Sequence, residues 1–383
     1  MARFLFDICS GQILSDALGG LEIAKLFGFE KPGGGIRPVA VRSTWGRLAG
    51  KVLCELYKEQ WAESVGPSQF AIGLPNGNEI LLKLAQTILD SDDPNSSDPI
   101  CLLQIDAKNA FNSCNREAFR TLLRQEYPEL APFVEQWYGH PTPLLFGAHT
   151  IMSRQGVQQG DPFGSFLFCL GLRPVLDNIV RRCQSVTVLA SSDDILLAVR
   201  ASQLAAVFRV AIEELAGYDL EVNLPKCHAY CPRQGALQEA GLPEELPISY
   251  EGLLHLGVPL GTDAFIDREL DKIAESCAEL LHELKELEDP QVALLILRMS
   301  AAPRLTHLTR SMSLYSAPLV AHLIQHDRAR QIATRFAQLL SLNGFSENQR
   351  AQIHLPIRVG GFGLLSPNFS HIAGYFAPSR AAC

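Results

Sequence analysis

The chain has 383 residues, 47% hydrophobic and 19% charged, so it can build a sizeable core and wholesale disorder is disfavoured. Its formal net charge of −8 argues against a protein that is basic over its whole surface, the usual condition for tight phosphate binding. Basic residues are nevertheless concentrated between Lys31 and Lys51 and in the C-terminal third, which leaves room for a local basic groove.

Cysteine usage and apolar runs bear on the compartment and on metal binding. The ten cysteines are scattered without a repeated CxxC pattern or a signal peptide, which indicates an intracellular protein, nuclear or cytoplasmic. Cys227, His228 and Cys231 are close in sequence, but no second ligand pair follows at zinc-finger spacing, so zinc is a weak hypothesis. No run of eighteen apolar residues is present, and we expect no membrane span.

Hydrophobic periodicity predicts an α+β chain. In chain order it predicts a strand over 36–41, a helix over 45–64, a helix with Asn78 as its N-cap, a strand over 100–106, helices over 115–126 and 163–180, a hairpin of 185–190 and 195–199, a helix over 202–216, and short strands over 220–223 and 253–258. From residue 265 onward the pattern is mainly helical. We therefore expect an α+β catalytic half over 1–262 and a helical half over 263–383.

Three aspartates occupy positions that suit catalysis. Asp106 ends the apolar strand CLLQI, and Asp193 and Asp194 lie at the tip of the predicted hairpin. If the two strands are neighbours, the three carboxylates converge, and like-charge repulsion makes such a cluster costly without a cation. The structural alternative is that Ser-Ser-Asp-Asp is only a β-turn, in which these residue types are common anyway.

Magnesium is the cation that best suits such a carboxylate cluster. It prefers a few carboxylates together with substrate phosphate oxygens, and Mn²⁺ is the alternative. Two ions held by Asp106, Asp193 and Asp194 would stabilise both the attacking and the leaving oxygen of an in-line displacement at phosphorus. We therefore take these three residues as both the catalytic and the metal-ligating set.

An ordered set of motifs surrounds these aspartates. Residues 106–113 read DAKNAFNS, 156–162 read GVQQGDP and 191–194 read SSDD. The remaining motifs are Lys31 with GGIRP at 34–38, LEVNLPKC at 220–227, LGVPLG at 256–261 and LPIRVGGFGL at 355–364. Together they resemble, in family order and over nearly the whole chain, the reverse transcriptase domain of non-LTR retrotransposons.

The resemblance implies a fold, a reaction and a set of partners. The fold is a right hand, with fingers and a palm with an antiparallel sheet over 1–262, and a helical thumb and C-terminal extension over 263–383. The implied activity is RNA-directed DNA polymerisation, in which deoxynucleotides are transferred to a primer 3′-hydroxyl. The partners are an RNA template, a DNA primer and deoxynucleoside triphosphates.

The resemblance also assigns roles to residues around the aspartates. Phe111 takes the steric-gate position that blocks a ribose 2′-hydroxyl, and Lys226 is a candidate acid for the leaving group. The residues implied in nucleotide binding are Lys31, Arg37, Phe111, Gln159 and Gly160. Each has a structural alternative: a core phenylalanine, ordinary solvated charges, or a helix-entry turn with Asp161 as N-cap and Pro162 in the first turn.

One departure from the family pattern keeps other functions open. Ser191 stands two places before the first paired aspartate, where the family has an aromatic or larger residue. Together with the acidic net charge, it leaves open a degenerate or repurposed fold that binds nucleic acid or a protein partner. An RNA polymerase of the same palm fold is disfavoured by Phe111. The sequence shows no endonuclease, RNase H or zinc-knuckle pattern.

Overall fold

The computed structural model describes residues 2–13, 19–31, 34–237, 241–284, 286–313, 316, 318–319 and 328–364. The chain divides into two compact units. Unit 1 contains residues up to Leu74 together with Ser97–Ala229 and Gly235–Ile248, and unit 2 contains Pro75–Ser96, Tyr230–Gln234 and the residues from Ser249 onward. Residues 365–383 of the predicted C-terminal extension lie outside the described residues.

The strands form two sheets and a separate hairpin. One sheet has the order β2-β1-β4-β5, the larger has the order β6-β7-β3-β8-β9, and β10 pairs with β11. The strands are β1 Ala24–Glu30, β2 Ile36–Val41, β3 Ile100–Ile105, β4 Thr142–Phe146, β5 His149–Ser153, β6 Thr187–Ser191, β7 Asp194–Arg200, β8 His228–Tyr230, β9 Ile248–Ser249, β10 Gly252–His255 and β11 Val258–Gly261.

Helices complete both units. They are α1 Ala2–Cys9, α2 Thr44–Val65, α3 Gly77–Asp90, α4 Ala110–Ser113, α5 Arg116–Glu126, α6 Ala131–Tyr138, α7 Gly164–Arg182, α8 Leu204–Ala216, α9 Asp263–Glu283, α10 Pro290–Ile296, α11 Thr306–Ser311, α12 Arg328–Leu339 and α13 Glu347–Ile353. Among the described residues, no helix combines the length and the apolar character needed to cross a membrane.

The larger sheet of unit 1 is a rigid support because its central strands are apolar on both faces. Every residue from Ile195 to Val199 in β7 is buried, as are most residues of β3. Helix α7 buries Phe166 and Phe168, and the Phe166 ring stacks on Trp61 of α2 with centroids 3.8 Å apart. Aromatic pairs of this kind add to the area that they bury, so the sheet is held from its helical side as well.

Unit 2 has its own apolar core, built from its helices. The cluster consists of Leu281, Leu284, Leu297, Ala301, Ala302, Ile332, Ala333, Phe336, Ile353 and Leu364. Helix α3 belongs to this unit, because Arg310 of α11 bonds to Glu79 at 3.1 Å and also to Asn76. The mainly helical character predicted from residue 265 onward is thus found in the part of the segment that the structure describes.

Several predicted boundaries differ from the structure. Asn78 lies inside α3, whose N-cap is Asn76 in a left-handed conformation, so the predicted cap is wrong. Residues 253–258, predicted as one strand, span a hairpin in which Leu256 and Gly257 both have positive φ, as a tight two-residue turn requires. The strand predicted over 220–223 is reduced to one bridge between Ala107 and Val222.

Candidate functional site

The strand register of the larger sheet brings the predicted carboxylates to one edge. β3 runs antiparallel to β7 and pairs Ile105 with Ile195, so the next residues, Asp106 and Asp194, come opposite each other. Residues directly opposite in an antiparallel pair present their side chains on the same face. β6 and β7 form a hairpin in which Ser191 pairs with Asp194, which leaves Ser192 and Asp193 at the turn.

Electrostatic effects show that the three carboxylates share one environment. Burial first, and then the negative charges of Asp193 and Asp106, together raise the pKa of Asp194 to about 6. Burial and the charge of Asp106 also raise the pKa of Asp193, whereas the positive charges of Arg37 and Lys31 act to lower it. The site is therefore an incompletely neutralised acidic cluster with two cationic side chains within electrostatic range.

An all-oxygen donor set of this kind suits a hard divalent cation. Within the described part of the chain, no three His, Cys, Asp or Glu side chains are arranged as a ready-made metal cage. This holds for the aspartates and for the cysteine–histidine segment that had suggested zinc. The aspartates fit an ion that takes only some of its ligands from protein and the rest from water and phosphate, which is the usual habit of magnesium.

Asp106 is oriented by a residue whose contribution the sequence did not reveal. The side-chain amide of Asn223 donates to Asp106 Oδ2 at 3.1 Å, and the Asn223 backbone N–H donates to the Asp106 carbonyl at 2.8 Å. Lys108 forms a salt bridge with Glu221 beside this contact. The motif 220–227 therefore serves as a support for the first aspartate, and only its position in the family pattern pointed to it.

The predicted gate residue lies beside the apolar core of unit 1. Phe111, in the short helix α4, is half-buried, and its ring stacks on the buried ring of Phe168 with centroids 4.6 Å apart. The Phe111 carbonyl accepts a hydrogen bond from the N–H of Val157 at 2.6 Å. The orientation of the ring is thus fixed, which is a requirement for a steric barrier. Its role as a gate stays a prediction.

The glycine-punctuated loop packs against strand β2. The carbonyl of Gln159 accepts from the Ala40 N–H at 2.7 Å, and the Gln159 side chain is half-buried. Gly160 has a φ of 103°, and a Cβ there would lie 2.7 Å from the Ala40 carbonyl oxygen. Only glycine fits this close approach without strain. The loop and β2 are therefore held together at the position predicted for nucleotide contacts.

A buried polar cluster fixes the same loop. Arg42 bonds to Gln158 Oε1 at 3.0 Å and to Asp161 at 3.3 Å, and its guanidinium lies over the Trp137 ring at 4.9 Å. The hydroxyl of Tyr138 donates to Asp161. The prediction of Asp161 as N-cap is wrong, because α7 begins at Gly164 and its N-cap is Phe163. The Asp161 carboxylate still accepts the Phe163 N–H at 3.1 Å, in addition to its bonds with Arg42 and Tyr138. Periodicity could not reveal this cluster, whose members are far apart in sequence.

The predicted cations differ in exposure. Lys31 and Arg37 lie at the turn end of the β1–β2 hairpin, where Arg37 is exposed and Lys31 is half-buried. Both act on the pKa of Asp193, so they are on the same side of unit 1 as the carboxylates. Lys226 is exposed at the end of a single 3₁₀ turn next to Asn223. Its proposed role in proton transfer stays a prediction.

Comparisons with known proteins bear on the family and the fold of the chain. A family model described as "Reverse transcriptase (RNA-dependent DNA polymerase)" matches residues 29–260. A curated relative is the Retrotransposable element SLACS 132 kDa protein of Trypanosoma brucei gambiense, 22% identical over 378 residues. The alignment covers 95% of this chain and 30% of the relative, so the chain spans about a third of that protein's length.

Among solved structures, telomerase from Candida albicans in complex with a fragment of telomeric RNA has a similar fold. Its TM-score is 0.52 at 11% identity, over 95% of this chain and 60% of the telomerase chain. At that identity the likeness concerns the fold alone, and it confirms the predicted α+β right-hand polymerase class. Because the family model matches more than half of the sequence, the chain belongs to the reverse transcriptase (RNA-dependent DNA polymerase) family, whose members generally depend on a divalent metal.

Proposed function

We propose that this chain is the RNA-directed DNA polymerase core of a retrotransposon-type element. The observation that carries the proposal is the strand register that places Asp106 opposite Asp194, with Asp193 in the adjoining turn. The relative from a retrotransposable element supports the source, and the family membership supports the chemistry. The template would be RNA, the primer DNA and the substrates deoxynucleoside triphosphates.

The carboxylates of Asp106, Asp193 and Asp194 are the proposed ligands of Mg²⁺, with Mn²⁺ as the alternative. Two such ions would activate the primer 3′-hydroxyl and neutralise charge on the departing pyrophosphate. The residues themselves contribute fixed positions, because Asp106 is held by Asn223 and Asp194 begins a strand buried on both faces. Catalysis by positioned charges depends on this rigidity, because charges that are already in place do not have to rearrange during the reaction.

The nucleotide would lie between the carboxylates and the β1–β2 hairpin. Lys31 and Arg37 supply positive charge for the triphosphate, where charge-assisted hydrogen bonds are strong. Gln159 and Gly160 form the surface beside β2, and the Phe111 ring excludes a 2′-hydroxyl. Lys226 would donate a proton to the leaving group.

The division of labour in the chain follows the same proposal. Residues 1–262 would act as fingers and palm, and 263–383 as thumb and C-terminal extension. The compact units put α3 and its flanking residues 75–96 with the C-terminal segment, so the packing units and the functional regions need not share a boundary. Template sequence would be read by base pairing, so binding should depend on salt and little on sequence.

Primer extension on a defined RNA template, with Mg²⁺ and deoxynucleotides, tests the proposal. We expect extension by the wild-type chain and none by the double variant Asp193→Ala/Asp194→Ala. Folding of both proteins is checked by circular dichroism and thermal unfolding. Absence of extension by a folded wild-type chain that still binds an RNA–DNA hybrid would refute the proposal in favour of a repurposed binding module, the function that buried Ser191 and the acidic charge favour.

A further inference from the structure

The turn that carries Asp193 has an unusual backbone. Ser192 has a φ of 56°, whereas Asp193 is not among the residues with positive φ. A two-residue hairpin turn with positive φ at its first position strongly favours glycine there, because a side chain is strained in that conformation. Strain of this kind persists only where the surroundings determine the backbone conformation.

The surroundings that determine it come from a segment 123 residues earlier in the chain. The side-chain oxygen of Gln69 accepts the Ser192 N–H at 2.7 Å, and its amide nitrogen donates to the Ser192 carbonyl at 3.3 Å. The same oxygen accepts the N–H of Ala71 at 3.2 Å. Since two backbone donors point at this oxygen, the orientation of the amide is fixed, and both backbone groups of Ser192 are bonded to one side chain.

The backbone around Gln69 is itself attached to the sheet. Gln69 forms a parallel bridge with Ala190 of β6, the Phe70 N–H donates to the Ala190 carbonyl at 2.7 Å, and the Ala190 N–H donates to Ser68 at 2.8 Å. Gln69 is only 4% exposed. Because its main chain is bonded to β6 and its side chain is buried, Gln69 holds the Ser192 backbone in a fixed position.

We propose that Gln69 is a positioning residue for the catalytic turn, an inference that rests on the proposed polymerase function. By holding both backbone groups of Ser192, it sets the direction in which Asp193 and Asp194 leave the turn. Its side chain bonds to the backbone of Ser192 and Ala71, so its proposed role acts through the turn. Its expected effect is therefore on the affinity of the carboxylates for a divalent ion and on kcat, with little effect on the KM for deoxynucleotide.

The test compares Gln69→Met with a matched control, Gln136→Met. Gln136 is also buried in unit 1 and also donates to a main-chain carbonyl, that of Ile8 at 3.0 Å, but it lies on α6 and bonds to α1. Binding of Mn²⁺ alone is measured by electron paramagnetic resonance, beside thermal unfolding and primer extension. We expect Gln69→Met to weaken Mn²⁺ binding and lower kcat by about tenfold, and Gln136→Met to reduce thermal stability only.

A second substitution separates positioning from packing. Ser192→Gly removes the strain of the positive φ, so in the Gln69→Met background it should restore part of the Mn²⁺ affinity. Gln69→Asn, whose amide is one methylene too short to reach the turn, should behave like Gln69→Met and serves if the methionine variant does not fold. Wild-type Mn²⁺ affinity in either variant would overturn the inference, as would a loss that Ser192→Gly leaves unchanged.

The outcomes also distinguish the inference from the function on which it rests. A wild-type chain that extends primers, beside a Gln69 variant that does so equally well, refutes the positioning role and leaves the polymerase assignment intact. A folded wild-type chain that does not extend primers refutes the polymerase assignment itself.

Discussion

The two sheets of unit 1 differ in burial, and each carries a different half of the candidate site. The sheet with the aspartates has central strands that are buried on both faces, and its turn is held from outside. The β1–β2 hairpin, which carries Lys31 and Arg37, leaves Phe27, Phe29 and Ile36 between 48% and 66% exposed. We infer that the half proposed to bind metal is fixed by packing and is the more rigid, whereas the half proposed to bind nucleotide is supported mainly where β2 meets the glycine loop.

The sharpest test of this comparison uses two arginines, Arg42 immediately after β2 and Arg37 within it. Arg42 is buried and forms an ion pair with Asp161, so Arg42→Met leaves a buried carboxylate without its cationic partner. We expect a loss of about 3–5 kcal/mol in the free energy of unfolding, because breaking a buried ion pair from one side is costly. Urea unfolding followed by circular dichroism measures it. A loss below about 1 kcal/mol would show that the loop is not held by this pair.

Arg37→Met is the matched exposed substitution. Since the Arg37 side chain is exposed, we expect no measurable change in unfolding free energy. We expect instead about a tenfold increase in KM for deoxynucleotide, the loss of one charge-assisted contact with the triphosphate. Steady-state primer extension checks this. An unchanged KM would remove Arg37 from the nucleotide site.

Substitution of Phe111 tests whether its ring, which stacks on Phe168 in the core of unit 1, excludes ribonucleotides. Phe111→Ala removes the ring that stacks on Phe168, and we expect ribonucleotide incorporation, relative to deoxynucleotide, to increase about tenfold. Phe111→Tyr keeps the ring and serves as control. Ratios of kcat/KM for matched ribo- and deoxynucleotides give the result, and an unchanged ratio in Phe111→Ala would contradict the gate assignment.

The smallest expected effect is on stability and concerns the charge of Asp194, in the sheet that carries the three aspartates. The pKa of Asp194 is raised to about 6, chiefly by burial and then by Asp193 and Asp106. Because the folded state holds this proton more tightly than the unfolded chain, stability falls as the pH rises from about 4 to about 6 and stays lower above. At pH 7.5 without metal, Asp194→Asn should therefore increase the free energy of unfolding by about 1 kcal/mol or less after solvent screening, and the melting temperature should rise accordingly.

The pH dependence supplies the control for that substitution. At pH 4 the wild-type carboxyl is already protonated, so the melting temperatures of wild type and Asp194→Asn should converge. Differential scanning calorimetry in the presence of a chelator measures both. If Asp194→Asn is less stable than wild type at pH 7.5, the ionised Asp194 carboxylate stabilises the fold, which would contradict the prediction.

The sequence predicted the elements that carry the aspartates because their apolar runs are long and end in turn residues. β1 and the β4–β5 hairpin were not predicted, since β1 contains Gly28 and much of both segments is exposed, so neither gives a clear alternation. The confirmed family resemblance supplied the order of the motifs. It did not supply the side-chain contacts between distant segments, such as Gln69 with Ser192, because periodicity records only local neighbours.

Because Asp106 and Asp194 directly adjoin the β3–β7 pair Ile105–Ile195, enzymatic activity also depends on the correct register of these two strands. A slip of one residue between β3 and β7 would turn one strand's entire set of side chains to the opposite face. The two carboxylates would then lie on different sides of the sheet, and no local repair could reunite them. The specific activity of a preparation would therefore be proportional to the fraction of molecules in which β3 and β7 pair in the correct register.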